Sequence, residues 1–225
     1  MTLDSSKTLG GVGAILMLIG GIGFFGIPYI SAISLVGLIL VLIALYGLAN
    51  IYQDRSIFTY ALYGFIAGIV GSVVAAVVGV VAFFSYINQL KTFLLQLYPN
   101  WDGKWSDISQ LRGMSPQTAN LNLSPIIPLI GLIILALVIF WVFLIVWAFL
   151  ARRSLKTLAT KSGVGLFSTA SLLLIIGAGL TIVLIGGIII WVAVLLLAIA
   201  FFQMSSQTQP PPVTYQEPPT QPMPV

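Results

Sequence analysis

Gly21-Ile-Gly23-Phe-Phe-Gly26 has the GxGxxG spacing with which a strand-to-helix turn cradles the pyrophosphate of a dinucleotide. That chemistry also needs a strand before the motif, an open loop around it and an acid about 20 residues further on for the ribose hydroxyl. Here Leu40 to Tyr52 contains no acid and the motif lies inside an apolar run, so the glycines read as packing residues. Gly20, Gly23 and Gly26 recur every third residue and strip one helical face of side chains, which lets a neighbouring helix approach. Asp102 and Asp107 come nearest to a carboxylate pair or a metal set. Two acids in one polar segment, with no His and no third carboxylate beside them, satisfy neither geometry. The absence of Cys removes thiol catalysis, disulfides and iron–sulfur ligation. No nucleophile–base pair can be assembled, so no enzyme and no cofactor are expected. Asn122-Leu-Ser124 is a glycosylation sequon, but Pro125 and an apolar run follow at once, which argues against modification.

The elements that would hold any site are legible from where charge is missing. Thr8 to Gln53, Ser56 to Leu90, Gly113 to Ala151 and Ser162 to Gln216 carry no formal charge. A charged side chain at the bilayer centre costs roughly 2.5–3.5 kcal/mol, so ions confined to short seams mark the seams of a membrane protein. With 59% hydrophobic and 6% charged residues, lipid is the solvent of this chain. Its apolar runs lack the period-2 alternation of barrel strands, which leaves an all-α, polytopic helical bundle. The basic residues flank apolar blocks rather than forming a solvated patch, so nucleic acid is not an expected partner.

About 20 helical residues cross a hydrocarbon core of roughly 30 Å, and the blocks divide accordingly into about six spans, near 9–27, 31–52, 57–88, 126–150, 163–185 and 187–203. Pro28 and the pair Gly186-Gly187 mark the two tight breaks. The third block is too long for one upright helix and reads as a tilted or protruding span. Residues 89–124 form the one large outer loop, and the Pro-rich segment 205–225 reads as a disordered tail, with docking through Pro219-Thr-Gln-Pro222 a weaker reading. Six spans put both termini on the face carrying Lys7, Arg55, Arg152, Arg153, Lys156 and Lys161, against Lys91, Lys104 and Arg112 on the other. The excess predicts a cell-membrane protein with N- and C-termini in the cytoplasm. Arg152, Arg153, Lys156 and Lys161 are read as topology signals that could also meet anionic headgroups.

Two further patterns concern contacts. In the third span Gly64, Gly68, Ser72 and Ala76 fall on one i+4 row, and Ala67, Gly71, Ala75 and Gly79 on the next. Such a small-residue face predicts a helix central to the bundle, or one lining a contact with a second copy. In the outer loop Trp101, Trp105, Ile108 and Leu111 share one helical face, which predicts an amphipathic helix over 101–112 with Trp101 and Trp105 at headgroup level. Gly103 weakens that helix by roughly 1 kcal/mol relative to Ala.

Lys7-Thr-Leu-Gly-Gly-Val-Gly-Ala-Ile-Leu, Asp54-Arg-Ser-Ile-Phe58 and the stretch from Gly177 to Ala200-Phe-Phe202 together resemble the archaeal membrane family catalogued as domain of unknown function 996. The resemblance implies a polytopic membrane protein and adds no site. Lys161-Ser-Gly-Val-Gly165 echoes Lys7 to Gly13, which suggests a parallel pseudo-repeat of the two terminal hairpins. The expected function is a structural or accessory component that packs with membrane lipids, a partner membrane subunit or a second copy. The alternative is a channel or carrier for a small neutral or lipid-like solute, with Asn50, Gln53, Ser85, Asn88 and Gln89 as polar handles.

Overall fold

The computed structural model describes residues 1–22, 28–118, 121–183 and 185–204. Six α-helices follow one another: α1 Leu3–Ile22, α2 Pro28–Ile51, α3 Ser56–Leu97, α4 Ile127–Ser162, α5 Leu166–Leu180 and α6 Gly186–Gln203. Short 3-10 stretches occupy Trp105–Gly113 and Thr181–Val183, and no strand occurs among the described residues. Among the described residues five helices, α2 to α6, are long and apolar enough to cross a membrane. α1, which carries Asp4 and Lys7 in its first turns, is not one of these five. The remainder of the expected first span, including Gly23 and Gly26, lies outside the described residues, as does the tail 205–225.

Several boundaries differ from the expected ones. α3 continues past Asn88 to Leu97, so the outer loop starts later than 89. α4 does not end at Leu150; it continues through Arg152, Arg153, Lys156 and Lys161 to Ser162. Charge ends a membrane span without ending a helix, because Arg, Lys, Leu and Ala all favour helical backbone. The helix stops where Gly163 adopts φ 73°, a left-handed cap that its own N–H closes onto the Ala159 carbonyl. The second tight break falls earlier than Gly186-Gly187, at the 3-10 turn Thr181–Val183, and Gly186 opens α6. The echo of Lys7–Gly13 in Lys161–Gly165 is not a structural repeat, since the first lies within α1 and the second straddles the end of α4.

The turn between α2 and α3 is fixed by backbone and side chain together. Gln53 takes φ 51°, and Asp54 N–H bonds the Ala49 carbonyl, closing α2. The Asp54 carboxylate then accepts the Ser56 N–H at 3.0 Å and the Ser56 hydroxyl at 2.6 Å, capping α3. These bonds, helped by Lys161 at 3.8 Å, hold its carboxyl below the usual carboxylate range.

The helices form a ring in which each packs on the next: α2 on α1, α1 on α6, α6 on α5, α5 on α4 and α4 on α3, with α2 and α3 closing it most sparsely. The largest buried side chains gather toward one end of the ring. Ala44, Leu45, Leu48, Ile57, Leu155, Leu158, Phe167, Leu197 and Phe201 make a continuous buried cluster there, with Phe167 and Phe201 edge to face at 5.2 Å, and the cluster continues inward through Leu174, Ala193 and Val194. This end holds the α2–α3 and α4–α5 turns with Arg55, Arg152, Arg153, Lys156 and Lys161. Ser154 is buried within it and donates to the Ile57 carbonyl at 2.5 Å, tying α4 to the start of α3.

Ser154→Ala removes that tie and is expected to lower unfolding free energy by about 1 kcal/mol in detergent, measurable as an earlier thermal transition. The Asp54 cap has a pH signature. Its folded pKa lies below the unfolded value, so its contribution is complete at neutral pH and is lost as pH falls below about 4 through the lowered folded value. An Asp54→Asn variant is expected to lose the part of the acid destabilisation seen below about pH 4 in the native chain.

Candidate functional site: a lateral apolar cleft

The sparse closure between α2 and α3 leaves a cleft of about 500 Å³. Met17 of α1 and Ser34, Leu35 and Leu38 of α2 form one wall. Phe65, Gly68, Ile69, Ser72 and Val73 of α3, with Phe140, Phe143, Leu144 and Trp147 of α4, form the other. A smaller cavity of about 60 Å³ shares Met17, Leu38, Phe65 and Trp147 with it and reaches Ser154 in the core. None of the side chains lining the cleft is ionisable. Its two hydroxyls are already used: Ser34 donates to the Met17 carbonyl at 3.3 Å and Ser72 to the Gly68 carbonyl at 2.8 Å. From Ser56 at the start of α3 to Val73 is ~26 Å along the axis, so the cleft sits at hydrocarbon depth when the basic end is at one interface.

Close backbone approach decides which walls are rigid. A Cβ on Gly13 would meet the Gly37 carbonyl, and one on Gly20 would meet Ser34, so α1 and α2 lie in direct backbone contact. Gly177 and Gly186 bring α5 onto α6 in the same way. On α3, Gly71 is buried against Phe143, where a Cβ would overlap the ring-bearing carbon. Gly64 meets Trp147 and Leu150 at ordinary contact distances of 3.4–3.6 Å, and Gly68 meets Trp147 at 3.6 Å.

The expected small-residue face is therefore divided. Gly64, Gly68 and Gly71 pack on α4, with Ala67 and Ala75 half-buried beside them. Ser72 and Ala76 are exposed, and Gly79 has nothing within 4 Å of where a Cβ would stand. α3 is consequently not central to the bundle. Only 11% of its most apolar window is buried, because its second neighbour, α2, stands off across the cleft. The α3–α4 pair is an apolar arm with Ile66, Val70, Val77, Val80, Ile133, Leu137 and Val142 all exposed.

The outer loop also departs from expectation. There is no α-helix over 101–112: Gly103 takes φ 74°, and the chain turns into a 3-10 stretch whose Asp107 is itself non-helical. Trp101, expected at headgroup level, is 3% exposed and meets Trp105 edge to face at 5.8 Å, whereas Ile108 remains 44% exposed. The loop folds back onto the end of α3, where Gln117 N–H bonds the Leu97 carbonyl and Gly103 lies against Lys91. Asp102 accepts the Lys104 N–H at 3.0 Å, which holds its carboxyl below the usual range. Asn50 and Gln53 are exposed at the basic end and Ser85 and Asn88 at the other, with Gln89 half-buried; none lines the cleft. Of the cleft walls only Gly68 and Ser72 carry a signal in the sequence, as members of the small-residue row, since Leu35, Phe65 and Trp147 look like any lipid-facing side chain.

The profile of a family described as "Protein of unknown function (DUF996)" matches residues 33–195, from the start of α2 into α6. No curated protein and no solved structure matches the chain.

Gly71→Leu is expected to destabilise the α3–α4 pair by about 1–3 kcal/mol through overpacking on Phe143, read as thermal stability in detergent. Gly79→Leu, which meets open space, is expected to leave the transition within about 0.5 kcal/mol of the parent.

Proposed function

Since the chain belongs to the DUF996 family, whose description assigns no activity, we propose from the geometry that it is a structural or accessory component of a membrane, packing with lipid chains and partner subunits rather than catalysing a reaction. The cleft carries this reading: its lining is predominantly apolar, both of its hydroxyls are spent on backbone carbonyls, and it lies where α2 and α3 pack most sparsely. A volume of about 500 Å³ suits a single aliphatic chain. It is too small for a partner helix, whose diameter with side chains is ~10 Å over several turns. The exposed α3–α4 arm offers the larger surface, to lipid or to a partner subunit. The basic excess at the end shared by the N-terminus and Met204 supports a cell-membrane location with both termini in the cytoplasm, and α1 as a sixth span.

The lateral opening favours one second reading, a carrier for a lipid-like solute. A channel for small neutral solutes has less support, because Asn50, Gln53, Ser85 and Asn88 gather at the two ends and no polar side chain links them through the cleft.

Native mass spectrometry after detergent exchange tests the assignment. The parent chain is expected to retain one lipid that Ser72→Phe, which fills the cleft, does not. Equal retention by both rejects the cleft as a chain site. Release of small neutral solutes from proteoliposomes above that of protein-free vesicles rejects the accessory reading in favour of a channel, and protein-dependent transfer of labelled lipid between vesicles favours the carrier.

A further inference from the structure

At the basic end, Arg152, Arg153 and Lys156 lie within two turns of α4. At 3.6 residues per turn, Lys156 falls between the two arginines around the helix, so all three share one face. The same face continues toward the membrane centre as Phe149, Val146, Val142 and Val138, each between 42% and 48% exposed. The Arg153 guanidinium is held between two rings, 5.7 Å from the centroid of Tyr60 and 4.8 Å from that of Phe149. Neighbouring carboxylates are engaged elsewhere: Asp4 with Lys7 at 2.6 Å, and Asp54 with Ser56 and Lys161. Arg152, Arg153 and Lys156 have no carboxylate partner among the described residues.

We propose that this face binds an anionic phospholipid, its phosphate held by Arg153 and Lys156 with Arg152 beside them, and one acyl chain lying along Phe149, Val146 and Val142. Charge and shape agree. Val138 to Phe149 covers ~17 Å of helix, close to one leaflet of a hydrocarbon core of roughly 30 Å, so a headgroup at the charges puts its chain on the exposed valines. Arg presents a planar fork that matches phosphate oxygens, and the two rings fix that fork before the lipid arrives. A topology signal requires charge alone and would be served equally by an unclamped lysine. The site is separate from the cleft, whose walls contain none of these residues.

The full-length chain, purified in detergent and offered equimolar phosphatidylglycerol and phosphatidylcholine, is expected to retain the anionic lipid preferentially by native mass spectrometry. Each removed charge is expected to cut that preference about fivefold, in R153Q and in K156Q alike. R153K keeps the charge but loses the fork, and Y60L keeps the arginine but loosens its clamp; each is expected to fall between parent and R153Q. S72F, acting on the cleft, is expected to leave the headgroup preference unchanged. Equal retention of the two lipids, or an unchanged ratio in both R153Q and K156Q, overturns the proposal. Displacement of the bound lipid by millimolar inorganic phosphate also overturns it, assigning the basic face to a soluble anion. Should R153Q prove polydisperse, K156Q, whose side chain is exposed, reads the same preference in a folded protein.

Discussion

Inside hydrocarbon, a hydrogen-bond donor without an acceptor costs several kcal/mol, and water is not there to supply one. Four polar side chains of this bundle meet that constraint by reaching across to the next helix, whereas Ser72 and Thr181 bond carbonyls of their own helices. Trp141 Nε1 donates to the Ala178 carbonyl at 3.1 Å, joining α4 to α5, and Trp191 Nε1 to the Leu18 carbonyl at 3.2 Å, joining α6 to α1. Ser34 joins α2 to α1, and Ser154 joins α4 to α3. α5 and α6 need no such stitch because Gly177 and Gly186 let their backbones touch. Among the described residues α2 and α3 share neither a side-chain stitch nor a glycine seam, and that is where the ring stands open. The cleft is the place where the same rule leaves two helices joined only near their turn, where the Tyr46 and Phe58 rings meet at 5.2 Å.

This explains which features could be read from the chain and which could not. Absence of charge over tens of residues is a strong signal, because each exception would be expensive, and it marks the helical class and α2 to α6. Helix ends are weaker signals. Arg152 and Arg153 stop a span but continue a helix, so α4 outlasts its apolar block, and only Gly163 in its left-handed conformation ends it. In the small-residue rows of α3, Gly64, Gly68 and Gly71 lie against α4. The rows cannot say how much of the face is used, and Ser72, Ala76 and Gly79 are left open. Residues 101–112 have the spacing of a helical face, but Gly103 at positive φ puts Trp101 and Trp105 on either side of a turn.

Packing and polarity divide the molecule into two halves. At the basic end Phe167, Phe201, Leu48 and Ile57 are fully buried, Asp54 caps α3, and the turns are closed by paired backbone groups. Toward the other end the α3–α4 pair separates from α2 and presents apolar side chains outward. Stability in lipid alone does not require this asymmetry. A bundle meant to be inert would close its ring along its whole length, as α1 with α2 and α5 with α6 do here.

The unequal lengths of α3 and α4 have a mechanical consequence. The register set by Gly71 on Phe143 and Gly64 on Leu150 puts the start of α4 level with Ile87, next to Tyr86, where α3 has its non-helical dihedrals. Beyond that point about ten residues of α3, ~15 Å, rise unaccompanied and carry the folded outer loop. The loop is thus mounted on the α3 extension, with the non-helical Tyr86 at its base, and returns to the start of α4. A pull on the loop is therefore delivered to both helices of the pair, through the α3 extension beyond Tyr86 and through the chain that leads into Ile127 at the start of α4.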